Sequence, residues 1–86
     1  MVDYKKEKRQ EFVELREYIA EQKKVSFAVL VYRCMNKGIG RTALVRMLQT
    51  LIDVNLVTVE NWELIRQDKT REGAVCWATA QNEEKK

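Results

Sequence analysis

Apolar residues recur at helical spacing through the first part of the chain. Phe12, Leu15 and Ile19, with Tyr18 beside them, predict a helix over residues 3–22, and Asp3 offers its N-cap. The polar stretch Glu21–Lys24 breaks that pattern. Val25 is a single extended residue ahead of Ser26, a favourable N-cap, so a second helix is predicted over 27–36. Phe27, Leu30, Val31 and Cys34 fall on one face of it, with Met35 at the edge. Gly38 supplies the left-handed conformation that ends helices, and Ile39 is left as an isolated apolar residue in a turn.

The segment GIGRTALVRMLQTLIDVNLV, residues 38–57, carries the most information. Stepped at about 100° per residue, Leu44, Leu48, Leu51 and Ile52 form one stripe, and Thr42, Arg46, Gln49 and Asp53 fall opposite. A helix over 41–54 therefore packs one face and shows the other to solvent. It stops at Asn55, which tolerates positive φ. Residues 56–66 have the β-branched and aromatic content of a strand (Val57, Thr58, Val59, Trp62, Ile65), with a slip in alternation at Glu60-Asn61 that predicts a bulge or short turn. QDKTREG, residues 67–73, reads as a hairpin loop, and AVCWATA, residues 74–80, as the returning strand. There is no repeat or internal boundary: residues 1–80 read as one domain, and the charged 81–86, QNEEKK, as a disordered tail.

Composition narrows the chemistry. The 86 residues include no histidine, which removes the commonest general base, the commonest zinc ligand and every Ser-His or Cys-His pair. Three glycines form no phosphate loop. Cys34 and Cys76 sit in apolar runs without metal-ligand spacing and read as reduced, small hydrophobes. No enzyme activity, cofactor or metal is expected. The longest apolar run, Phe27–Tyr32, is far shorter than a membrane span, and MVDYKKEKRQEF has no apolar segment behind its charges. The expectation is a soluble cytoplasmic protein that does not engage a membrane. The net charge of +3 permits binding to a polyanion without establishing it.

The order helix, short extended residue, helix, turn, helix, strand, charged loop, strand resembles the winged helix-turn-helix superfamily of small bacterial, archaeal and phage regulators. Val25-Ser26, Leu30-Val31, Gly38-Ile39, Leu44, Leu48, Leu51 and Asn55-Leu56-Val57 carry the resemblance, which spans residues 12–79. Members often have glycine where this chain has Asn55. The resemblance implies an α+β fold, three helices followed by a two-stranded β-hairpin wing, with Ile39 plugging the angle between the second and third helices. It also implies sequence-specific binding of double-stranded DNA by a small transcriptional regulator, with helix 41–54 in the major groove and wing 66–73 on the backbone. A nucleoid location follows for a bacterial, archaeal or phage regulator.

On that reading Arg46 and Gln49 are the base readers, toward guanine and adenine respectively. Thr42 suits a phosphate or a thymine methyl, Arg41 a phosphate at the helix N-terminus, and Lys37 a phosphate beside the turn. Arg66, Lys69 and Arg71 form the basic group of the wing. Lys23 and Lys24, and the N-terminal Lys5, Lys6, Lys8 and Arg9, are weaker contacts. Asp53 is expected to point away from the duplex. For each of these residues ordinary solvated surface is the competing reading. Trp77 is expected in the core, while the direction of Trp62 is open.

Val29 and Tyr32, opposite the core face of the second helix, either pack under the first helix or mark an apolar patch for a partner. A homodimer is expected, through that patch or through the first helix with Tyr4 and Tyr18. Two other function classes compete. One is a winged-helix protein–protein interaction module, favoured by the modest charge, Asp53, Val29 and Tyr32. The other is an excisionase-like architectural factor.

Overall fold

Three successive helices end in the same backbone motif, and those three ends set the path of the chain. The computed structural model describes residues 4–78, with side chains from Gln10 onward. Its elements are α1 (Tyr4–Gln22), β1 (Lys24–Ser26), α2 (Phe27–Asn36), α3 (Arg41–Asp53), β2 (Val57–Val59), α4 (Trp62–Arg66) and β3 (Ala74–Trp77). The Asp3 cap, the side chains of Tyr4, Lys5, Lys6, Lys8 and Arg9, and the 81–86 tail lie outside the described residues. After α2, Ile39 N–H donates to the Cys34 carbonyl (2.7 Å) and Gly38 N–H to that of Met35 (3.0 Å). After α3, Leu56 donates to Leu51 and Asn55 to Ile52; after α4, Lys69 donates to Leu64 and Asp68 to Ile65. Each is a Schellman closure, and each places its pivot residue at positive φ: Gly38 at 78°, Asn55 at 63° and Asp68 at 62°. Glycine, asparagine and aspartate are the residue types that occupy this region at least cost.

The core is one cluster. Leu15 and Ile19 of α1, Phe27, Leu30, Val31 and Cys34 of α2, Leu44, Leu48 and Leu51 of α3, Val57, Ile65 and Val75 are buried together, with Ile39 filling the turn between α2 and α3. Among the described residues no polar or charged side chain is fully buried. Ser26 caps α2 as its sequence predicts: its hydroxyl accepts from Val29 N–H at 3.2 Å. Trp77 is half-buried and packs against the core, and so does Trp62.

The fold is mixed α+β, with four helices and a three-stranded antiparallel sheet among the described residues, where three helices and a two-stranded hairpin were expected. Two features account for the difference. The extended residue at Val25 is the middle of β1, which pairs with β3 in the register Val25↔Val75, so the sheet order is β1-β3-β2. Three residues are too few for alternation to announce a strand; its cross-strand partner defines it. The expected strand over 56–66 is β2 for only three residues. Asn61 then turns into positive φ (58°) and starts α4, with its side-chain Nδ2 donating to the Glu72 carbonyl (3.0 Å). Trp62 and Ile65, three apart, share a helix face and would fall on opposite faces of a strand, but their β-prone residue types mask that spacing.

Gly73 is needed for space rather than for φ. A Cβ there would overlap the Glu60 carbonyl oxygen and lie 2.8 Å from Ile65 Cδ1. The close approach brings the base of the 60–73 excursion together: Glu60 N–H donates to Ala74 O (3.0 Å), and Phe27 N–H donates to Gly73 O (2.9 Å).

Candidate nucleic-acid interface

The turn after α2 delivers α3 with its leucine stripe inward and an opposite strip outward. Leu44, Leu48 and Leu51 have no exposed surface, whereas Thr42, Ala43, Arg46, Thr50 and Asp53 are all exposed. On a regular helix these five lie within about 60° of the Arg46 direction. Arg46 is the strip's central cation. Among the described residues its guanidinium has no ion-pair or hydrogen-bond partner; only its backbone carbonyl is engaged, accepting from the Thr50 hydroxyl at 3.1 Å. Toward α1 the strip opens into a groove lined by Glu11, Gly40, Thr42, Ala43, Arg46 and Met47.

The other flank of α3 is tied to α4 at two points. The Arg41 guanidinium turns away from solvent: Nη2 donates to the Ile65 carbonyl, and the side chain is only 21% exposed. Its Nε lies 3.3 Å from Asp68 Oδ1 without hydrogen-bond alignment, so that contact is a charge attraction, screened at its open end by the solvated Asp68. The guanidinium carbon also sits 5.9 Å from the Phe27 ring centroid, at the outer limit of a cation–π contact. Two turns on, Trp62 Nε1–H donates to Gln49 Oε1 (3.0 Å), and Gln49 Nε2 donates to Asp53 Oδ1 (2.8 Å). The start of α3 thus meets the end of α4 through Arg41, and Gln49 meets the start of α4 through Trp62.

The expected site residues therefore divide. Thr42 and Arg46 stand on the open strip, and Gln49 is half-buried at its α4 margin with both ends of its amide occupied. Arg41 faces α4. Lys37 Nζ pairs with Glu14 at 3.2 Å. Arg66 is the last residue of α4 rather than part of the loop, and it pairs with Glu63 at 2.8 Å. Lys69 and Arg71 are exposed in the loop, with no ion-pair partner among the described residues. Thr50 and Ala43 belong to the strip but were not singled out by sequence, although the same helical wheel contains them. Glu11 and Trp62 reach the site from α1 and α4, which no periodicity in α3 reveals.

Electrostatics around the turn are partly neutralised. The hydrogen bond from Lys37, then that from Gln10, then the Lys37 charge hold the Glu14 carboxyl below its ordinary value. Burial pushes the Cys34 thiol up, against the opposing charges of Lys37 and Arg33. Arg33 lies over the Tyr18 ring, 3.8 Å from its centroid, and ties the outside of α2 to α1. Val29 and Tyr32 do not pack under α1: they are 43% and 61% exposed, with Met35 exposed beside them.

Among the described residues no group of histidine, cysteine, aspartate and glutamate side chains is placed to hold a metal ion, and no helix is long and apolar enough to cross a membrane. Comparison with protein-family models, with curated proteins and with solved structures returns no match to this chain.

Proposed function

We propose that this chain is a winged-helix-like protein that binds double-stranded DNA, with the outer strip of α3 in the major groove and the 67–73 loop on the neighbouring backbone, as a small transcriptional regulator. The observation that carries the reading is the placement of Arg46. It is a cation without an intramolecular partner among the described residues, at the centre of an exposed helical strip whose neighbours Thr42, Ala43 and Thr50 are small. Small neighbours let a helix approach base edges, and arginine matches the two acceptors of guanine with two donors. Lys69 and Arg71 add charge that neutralises phosphates without regard to sequence. The contacting set in this reading is Thr42, Arg46, Gln49, Thr50, Lys69 and Arg71, with Arg41, Lys37 and Arg66 in supporting roles. The test is selection of bound duplexes from a random pool. Enrichment of a common motif is expected, and recovery of the pool unchanged contradicts the reading.

A second reading, a winged-helix protein–protein interaction module, is favoured by one specific observation. Val29, Tyr32 and Met35 leave apolar surface open on α2, where a second copy or another protein would dock. The same selection separates the two, because this module enriches no duplex.

A further inference from the structure

The three side chains Trp62, Gln49 and Asp53 form a directed chain of hydrogen bonds, and its direction is settled by chemistry. An indole N–H only donates, so the atom of Gln49 that faces Trp62 at 3.0 Å is the carbonyl oxygen. An ionised carboxylate only accepts, so the atom that faces Asp53 at 2.8 Å is the amide nitrogen. Glutamine is ordinarily free to exchange the two ends of its amide. Here its neighbours fix which end is which.

The occupied amide keeps half of its capacity. One lone pair on Oε1 and one hydrogen on Nε2 remain without a partner among the described residues. That is an acceptor next to a donor, the complement of the N6–H donor and N7 acceptor on the major-groove edge of adenine. Gln49 lies at the margin of the exposed strip, one helical turn from Arg46, so both side chains address the same groove. We infer that Trp62 is a positioning residue: through Gln49 it presets an adenine-reading donor–acceptor pair on α3, and Asp53 holds the other end. This rests on the DNA-binding reading above. Because the amide is ordered before the duplex arrives, less side-chain freedom is lost on binding, which favours the matched base pair.

The experiment measures binding of the full chain to a duplex obtained by selection and to variants in which each A·T pair in turn becomes G·C. For the unaltered chain one A·T pair is expected to be worth roughly 5- to 100-fold in affinity through Gln49. Trp62→Phe keeps the ring packing and removes the donor; it should cut the discrimination at that pair by roughly 2- to 10-fold and leave discrimination elsewhere, and affinity for unrelated duplex, unchanged. A purely structural role for Trp62 would lower all of these together. Gln49→Met keeps the side-chain length and should abolish discrimination at the same pair, which preserves the test if Trp62→Phe folds poorly. Failure of the unaltered chain to bind any duplex overturns the DNA-binding reading and this inference with it. Sequence-dependent binding in which Trp62→Phe or Gln49→Met keeps full discrimination at every A·T pair overturns the inference alone.

Discussion

Arg41 donates a hydrogen bond from Nη2 to the backbone carbonyl of Ile65, and so fastens the first turn of α3 to the last turn of α4. The same carbonyl also accepts from Asp68 N–H (3.0 Å), so the arginine joins a helix-ending motif already closed on itself. Removing the guanidinium loses a charged, half-buried hydrogen bond, although the Ile65 carbonyl keeps its bond from Asp68 N–H. Arg41→Ala should therefore lower unfolding stability by about 1–3 kcal/mol in a urea titration. Arg41→Lys should recover little, because an ammonium lacks the fork that meets Ile65 and Asp68 together. Asp68→Asn keeps the tolerance of positive φ and loses only a screened attraction, so its effect should be within about 0.5 kcal/mol. An Arg41→Ala protein of unchanged stability would show that the side chain is free for other partners.

The site was only partly legible in the sequence, and Arg41 shows why. Its helical phase, Gly38, Ile39 and the leucine stripe all follow from local spacing, and so do the bounds of α2 and the inward face of α3. Where the guanidinium turns depends on α4, and α4 is hidden in the sequence because Trp62 and Ile65 are β-prone residue types that continue the strand-like content of Val57–Val59. The same gap conceals the partner of Gln49. β1 escaped for a related reason: Lys24–Ser26 becomes a strand through β3, about fifty residues away in the chain.

Glu14 and Lys37 make a second testable pair. The Glu14 carboxyl is held below its ordinary value of 4.5, so the pair contributes stability that is present above the unfolded carboxylate's titration range and is lost as pH falls through the lower folded value. A carbon-detected NMR titration should find Glu14 protonating at lower pH than an ordinary glutamate. The difference in melting temperature between the native chain and Glu14→Gln should shrink as the solution is acidified below about pH 4. A difference that grows in acid would reverse the sign and contradict the pairing. Freed by Glu14→Gln, Lys37 becomes available to phosphate, and the salt slope of duplex binding should steepen by roughly 0.9.

Gly73 provides a test of how the 60–73 excursion is held at its base. Gly73→Ala places a methyl against the Glu60 carbonyl and 2.8 Å from Ile65 Cδ1, where the backbone has to move to make room. A loss of about 1–3 kcal/mol is expected in denaturant titration. Neutral behaviour would mean that the 60–73 excursion is not held against β3 as described.

Glu11 lines the groove that contains Arg46, where its charge would oppose the proposed duplex. Glu11→Gln should tighten binding to any duplex and do so most at low salt, where the charge is least screened. Unchanged affinity across a salt series would place the ligand elsewhere on the molecule.

Whether the exposed strip of α3 grips duplex DNA through Arg46, as we propose, is read from the affinity of the native chain and Arg46→Ala for one selected duplex and one scrambled duplex of equal length. Native binding should prefer the selected duplex and weaken with salt, and an Arg46→Ala protein of native stability should bind the selected duplex roughly 5- to 100-fold more weakly and lose much of the preference. Equal affinity of the two proteins for both duplexes, or no duplex binding at all at low salt, would contradict it.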